Sequence, residues 1–253
     1  EKKSVGLIRL KRLVRNWRAL SLLVVLAVSA MTGCGRYFPT PFQPTPQQPS
    51  GMTVNDDGSI TYDLDRLAIT LRAMTDEELN RLVSPSGDSS VNPYTFGDLK
   101  TPGDTWTPSR FTVFHLQVAN YQFPKVRLDP VNSQITTSNS RQYAPLSFSE
   151  LYDYYRAHWV GRTGRGRTKF RTRTDVLNRT LFSKDYIFSG SDADGYIVFP
   201  RLHDDVRNIQ VDLTDIAVRF NYTDEPVETI DLTFNFDRDI LRGDTPATAI
   251  RDN

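Results

Sequence analysis

The sequence predicts a mainly β protein, an antiparallel two-sheet sandwich carrying one or two short inserted helices. Three observations predict it. Ile209, Val211 and Leu213 alternate with polar residues, as do Ile216, Val218, Phe220 and Tyr222, and then Ile230, Leu232, Phe234 and Phe236. Alternation with period two buries one face of a strand and wets the other, which is the mark of an antiparallel sheet. Strand-like runs also recur at short intervals between turn residues, the spacing of a sandwich. Two stretches open helices with a capping box, Thr75 to Glu78 and Ser147 to Glu150.

The chain opens on Glu1 rather than Met, and its start is expected to be incomplete. Residues 1–33 hold Lys2, Lys3, Arg9, Lys11, Arg12, Arg15 and Arg18 against Glu1 alone, so the net charge of +1 hides an asymmetry. The remainder is acidic, with 24 Lys and Arg against 29 Asp and Glu. Bulk charge therefore points away from a nucleic-acid partner. Ala19 to Ala30 is an apolar run of twelve residues, too short for a membrane span and the right length for a signal-peptide core. Lys11-Arg12 is not a twin-arginine pair, so the general export route is expected.

The apolar run ends at Met31-Thr32-Gly33-Cys34, which contains the single cysteine of the sequence. This tetrapeptide resembles the lipobox of bacterial lipoproteins, with Met31 where Leu is commonest. The resemblance implies cleavage between Gly33 and Cys34 and acylation of Cys34, which attaches the mature chain to a membrane. By the family's sorting logic, Gly35 in place of Asp after the cysteine implies the outer membrane. With Cys34 acylated no thiol remains for a disulfide, a zinc site or a nucleophile. Some 220 mature residues are about enough to build a core without such staples.

Residues 34–50 contain five prolines, at 39, 41, 44, 46 and 49. Proline removes donors and fixes φ, so the stretch is expected to form an extended, semi-rigid tether beyond the lipidated cysteine. Residues 51–109 read as N-terminal strands and a short helix, part of the main domain or packed on it. Asn55-Asp56-Asp57-Gly58 is the turn of their first hairpin, Leu67 to Leu71 a strand, and Pro85 and Gly87 end the helix begun at Thr75.

Residues 110–240 read as the sandwich domain, opening with a β-rich run from Phe111 to Val118. The second capping box opens a helix through Trp159, with Phe148, Leu151, Tyr152, Tyr155 and Trp159 on one face set to pack on a sheet. Gly190-Ser191-Asp192-Ala193-Asp194-Gly195 reads as a hairpin loop between Tyr186–Phe188 and Tyr196–Phe199. The phase slip between Leu213 and Ile216 predicts a β-bulge at Thr214-Asp215. The order of strand, helical excursion, Gly-Tyr-Ile-Val-Phe-Pro and two long strands resembles the immunoglobulin-like domains of uncharacterised envelope lipoproteins. Residues 241–253 are expected to be a flexible tail.

Two clusters stand out as candidate sites. Arg162, Arg165, Arg167, Lys169, Arg171 and Arg173 lie among thirteen residues without an anion. Alternating with Thr and Gly, they read as an exposed loop or hairpin suited to an anionic partner: lipid head groups, lipopolysaccharide phosphates or an acidic protein surface. Asp192 and Asp194 before Gly195 carry a weaker calcium-loop pattern, without the further oxygen ligands of an EF-hand. His203-Asp204-Asp205 lies nearby. No His-Glu-x-x-His, Gly-x-Ser-x-Gly or phosphate-cradling glycine loop occurs, and no cofactor is expected. Two functional classes follow. One is a structural or adaptor protein of the envelope without enzymatic activity. The other is an envelope hydrolase or calcium-dependent binder using carboxylates near 192–205.

Overall fold

The alternating segments pair as their pattern requires. In a computed structural model, residues 36–83, 89–97, 106–159, 164–183, 185–245 and 247–251 are described. One antiparallel sheet has the order β11 (Ser191–Pro200), β6 (Phe111–Asn120), β5 (Leu67–Ala73), β4 (Ser59–Leu64) and β3 (Met52–Val54). The other has the order β2 (Gln43–Pro44), β13 (Pro226–Asp237), β12 (Asn208–Phe220), β8 (Ser133–Thr137) and β9 (Gln142–Tyr143). Their inner faces share one core, in which Phe114 packs on Phe199 and Phe236 at ring distances of 6.0 and 5.3 Å. The chain is thus a mainly β, antiparallel sandwich. Residues 52–73 supply three strands of the same sheet as β6.

The predicted bulge is present. Pairing of β12 with β13 shifts register between Leu213 and Ile216, and Asp215 takes a φ of 56°. Both capping boxes form as well. The Thr75 hydroxyl accepts from the Glu78 amide while the Glu78 carboxylate accepts from the Thr75 amide, opening α1 (Asp76–Val83). Ser147 and Glu150 do the same for α2 (Phe148–Trp159).

A third layer covers the outer face of β6 and β11. Val113, Tyr196 and Val198 point away from the sandwich core and form a second one with Leu79 of α1, Leu151 and Tyr155 of α2, and Val176 and Leu177. The last two belong to α3 (Arg165–Thr180), which corrects the expectation of an exposed loop over the arginine-rich stretch. Arg and Lys are strong helix formers, and Phe170, Arg173, Val176 and Leu177 supply an inward face. The helical content exceeds the one or two short helices expected.

Three further expectations are corrected. Asp192 to Gly195 lies inside β11, paired with Gln117 to Ala119 and Leu116, and is not a hairpin tip. The turn comes earlier, at Ser189 and Gly190, and β10 (Ile187–Phe188) pairs instead with β7 (Lys125–Val126). Gly195 is needed for close approach: a Cβ there would meet the Phe182 backbone at 2.6 Å.

The proline-rich stretch is no free tether over its described part. β1 (Arg36–Pro39) pairs with β14 (Ile240–Gly243), and β2 pairs with the end of β13. Phe38 and Phe42 are only 4% and 8% exposed. Prolines suit a sheet edge, where no donor is needed on the outer side. Where a donor is needed, Gln48 provides it: its side-chain amide donates to the Asn235 carbonyl at 2.7 Å and accepts from the Asn235 amide at 3.0 Å. The described C-terminal residues are likewise engaged in pairing. β14 and β15 (Ile250–Arg251) form a hairpin, closed by Thr245 and Thr248 and completing a three-stranded ribbon with β1.

A fragment that begins at residue 51 therefore loses part of the core. Burial of two phenylalanines is worth about 3 kcal/mol or more. Residues 51–253 should unfold at a clearly lower urea concentration than residues 36–253, and Phe42→Ala in the longer chain should reproduce much of that loss. Equal midpoints would show that the arm contributes no stability.

Candidate functional site

The arginine-rich stretch divides into two faces of α3. Lys169 and Arg173 turn inward towards the 3-10 turn Ser89–Val91. The Lys169 ammonium donates to the Ser90 hydroxyl at 2.6 Å, and the Arg173 guanidinium donates to the Ser90 carbonyl. Arg173 is buried, its guanidinium 5.0 Å from the Tyr155 ring. Arg110 also approaches, 4.3 Å from the Phe96 ring and 5.6 Å from Tyr155. Arg110 donates to the Tyr155 hydroxyl at 2.7 Å, and that hydroxyl donates to the Pro93 carbonyl. Burial pushes the Tyr155 phenol up, although both arginines oppose the shift. Guanidinium planes held on aromatic faces form a structural stack that locks α3 to the sheet.

Arg167 and Arg171 are exposed one helical turn apart, so they share the outer face. Of the six predicted cations these two are the exposed ones among the described side chains. Arg162 lies outside the described residues, as does the side chain of Arg165. Arg167→Ser with Arg171→Ser should leave the melting temperature unchanged. Arg173→Ser should cost about 2 kcal/mol, because it removes a buried stack and a carbonyl bond. Similar melting temperatures for all three proteins would contradict this division of the helix.

The second cluster does not assemble into a metal centre. Asp192 and Asp194 sit on β11, and Asp194 faces the His115 imidazole at 3.2 Å. Asp204 is held by Arg201 at 2.6 Å, Asp205 by Arg141 at 3.0 Å, and the His203 carbonyl accepts from Arg238 at 2.8 Å. Among the described residues no three His, Cys, Asp or Glu side chains converge to hold a metal. Gly33 and Cys34 lie outside the described residues.

A site not evident from sequence lies at the end of the sandwich where the N-terminal arm enters. A cleft of about 310 Å³ is lined by Phe42, Asp76, Trp106, Arg201, Asp204 and Arg238, among others. Trp106 stands edge-on to Phe38 at 5.2 Å. Arg238 lies 4.4 Å from the Phe42 ring and donates to the carbonyls of Val206 and His203; burial pushes its guanidinium down to about 10. Burial pushes the Asp76 carboxyl up to about 6, against the opposing pull of Ser109 and Arg110 and with a small push from Glu77. The signal was available only as an acidic first turn, in which Asp76 looks like an ordinary helix-start residue. A second hollow, beside Thr136, Gln210 and Asn235 on the other sheet, has no titratable side chain.

The Asp76 carboxyl makes stability depend on pH. Its unfolded value is near 4, so between about pH 4 and 6 the folded state binds more protons and stability falls as pH rises. Above that window the ionised, half-buried carboxylate carries a penalty on the order of 1–2 kcal/mol. Asp76→Asn should raise the melting temperature at about pH 7.5 and leave it nearly unchanged at about pH 4. An equal shift at both values would remove this carboxyl as the cause.

No protein-family model matches the chain, and no curated protein matches it. Among solved structures, it is similar to the secreted protein MPT63 of Mycobacterium tuberculosis, with 9% sequence identity and a TM-score of 0.27. That similarity covers 63% of this chain and 80% of MPT63.

Proposed function

We propose that the chain is an exported lipoprotein, held by acyl chains on Cys34 and displaying a non-catalytic binding module in the cell envelope. One observation carries the reading: a basic segment, a twelve-residue apolar run and Met31-Thr32-Gly33-Cys34 follow in that order. Several acyl methylenes, each worth about 0.8 kcal/mol when buried, make such attachment persistent. Gly35 after the cysteine supports the outer membrane as the destination. Asp194, Asp204 and Asp205 each face a basic side chain, which speaks against a pair of facing carboxylates set for hydrolysis near 192–205. Arg167 and Arg171 on the outer face of α3 are the groups offered to an anionic partner, whether lipopolysaccharide phosphates or an acidic protein.

Cys34→Ser in the expressing bacterium should abolish incorporation of radioactive palmitate and leave an unprocessed precursor. Labelling that persists in the variant would overturn the anchor.

A further inference from the structure

We infer that the β1–β14–β15 ribbon rests directly on the phospholipid surface, so that the sandwich lies against the membrane and does not stand off from it. The inference rests on the lipid-anchor reading of Cys34. A single residue, Gly35, separates Cys34 from Arg36, where β1 begins. Even a fully extended chain spans only about 7 Å over that interval. The prolines that would have formed a long spacer are spent on β1, β2 and the edge of β13.

The ribbon also carries the side chains that a lipid interface takes up. Tyr37 pairs with Arg242, and Arg242 pairs with Ile250, so the three form one row on the same face. Tyr37 is 38% and Ile250 75% exposed, and the Arg242 guanidinium lies 5.6 Å from the Tyr37 ring. A tyrosine joins an apolar ring to a polar tip, and arginine keeps its head at phosphate level while its stem covers apolar surface. An exposed isoleucine beside them supplies the apolar insertion. Arg36 adds positive charge at the point where the chain enters. Lipid phosphate is the occupant to which this row and the direction of the chain both point.

The opposite end of the sandwich is then presented away from the membrane. The turn after β12 carries Tyr222, 99% exposed, and lies the length of β13 away, about 40 Å at ordinary strand rise. Exposed Tyr121 and Phe188 belong to the same end, where β6 meets β11 and β10 meets β7.

The single native cysteine makes this testable. Once Cys34 is acylated, a cysteine introduced elsewhere is the only thiol. The full acylated chain, carrying Ile250→Cys or Tyr222→Cys with a bimane label, is reconstituted into nanodiscs of phosphatidylethanolamine and phosphatidylglycerol with nitroxide head groups. Ala247→Cys serves as a second ribbon position should Ile250→Cys fold poorly. The label at 250 or 247 should lose most of its fluorescence to the nitroxide, and the label at 222 should lose almost none. Equal quenching at both ends, or stronger quenching at 222, in a chain whose intact mass includes the acyl groups would overturn the docking alone. A chain whose mass lacks them would overturn the anchor and the docking together.

Discussion

The pairing of β6 with β11 is the contact on which the other layers depend. The two strands are joined in register from Ser191 and Asn120 to Pro200 and Phe111, along the full length of both. One face of this pair, with Phe114, Leu116, Ile197 and Phe199, closes the sandwich core. The other, with Val113, Tyr196 and Val198, is the floor on which α1, α2 and α3 rest. A pair buried on both sides ties the helical layer and the second sheet to one ladder. It also positions Arg110, which follows the loop into β6, to hold the Tyr155 ring from below the helices.

Much of the fold was legible because its signals are local. The strands around Val211, Val218 and Phe234 alternate cleanly, and a one-residue phase slip marked the bulge at Asp215. Thr75 and Ser147 announced their helices through hydroxyls that need only the next turn to be satisfied. The helical layer had its own signal, which alternation obscured: Tyr196-Ile197-Val198-Phe199 is apolar throughout, as a strand covered on both faces must be.

The remainder depended on partners distant in sequence. The prolines between 39 and 49 read as a spacer because proline cannot enter a central strand, yet an edge asks less of them. Gly195 looked like a turn residue, and its requirement comes from the backbone of Phe182 pressing against β11. Arg173 looked like surface charge, and its place beneath α3 is set by the Tyr155 ring and the Ser90 carbonyl. The cleft at Asp76 was invisible for the same reason. It is made by the arm, the start of α1, the stretch from Trp106 to Val113, Arg201 to Asp204 and Arg238, segments remote from one another along the chain.

The Gln48 amide has a further consequence for the sandwich as an object in a crowded compartment. The outer edge of β13 would otherwise be a row of unsatisfied donors and acceptors, a template on which another extended chain could polymerise. Near Asn235 to Asp237 that template is occupied by the chain's own arm, with one side chain imitating a peptide unit. Further along, Glu228, Asp231 and the repeated register shifts make the edge charged and irregular. Proteolytic clipping of the arm would thus do more than loosen the protein: it would expose the β13 edge near Asn235 to Asp237 and make each molecule a seed for strand exchange.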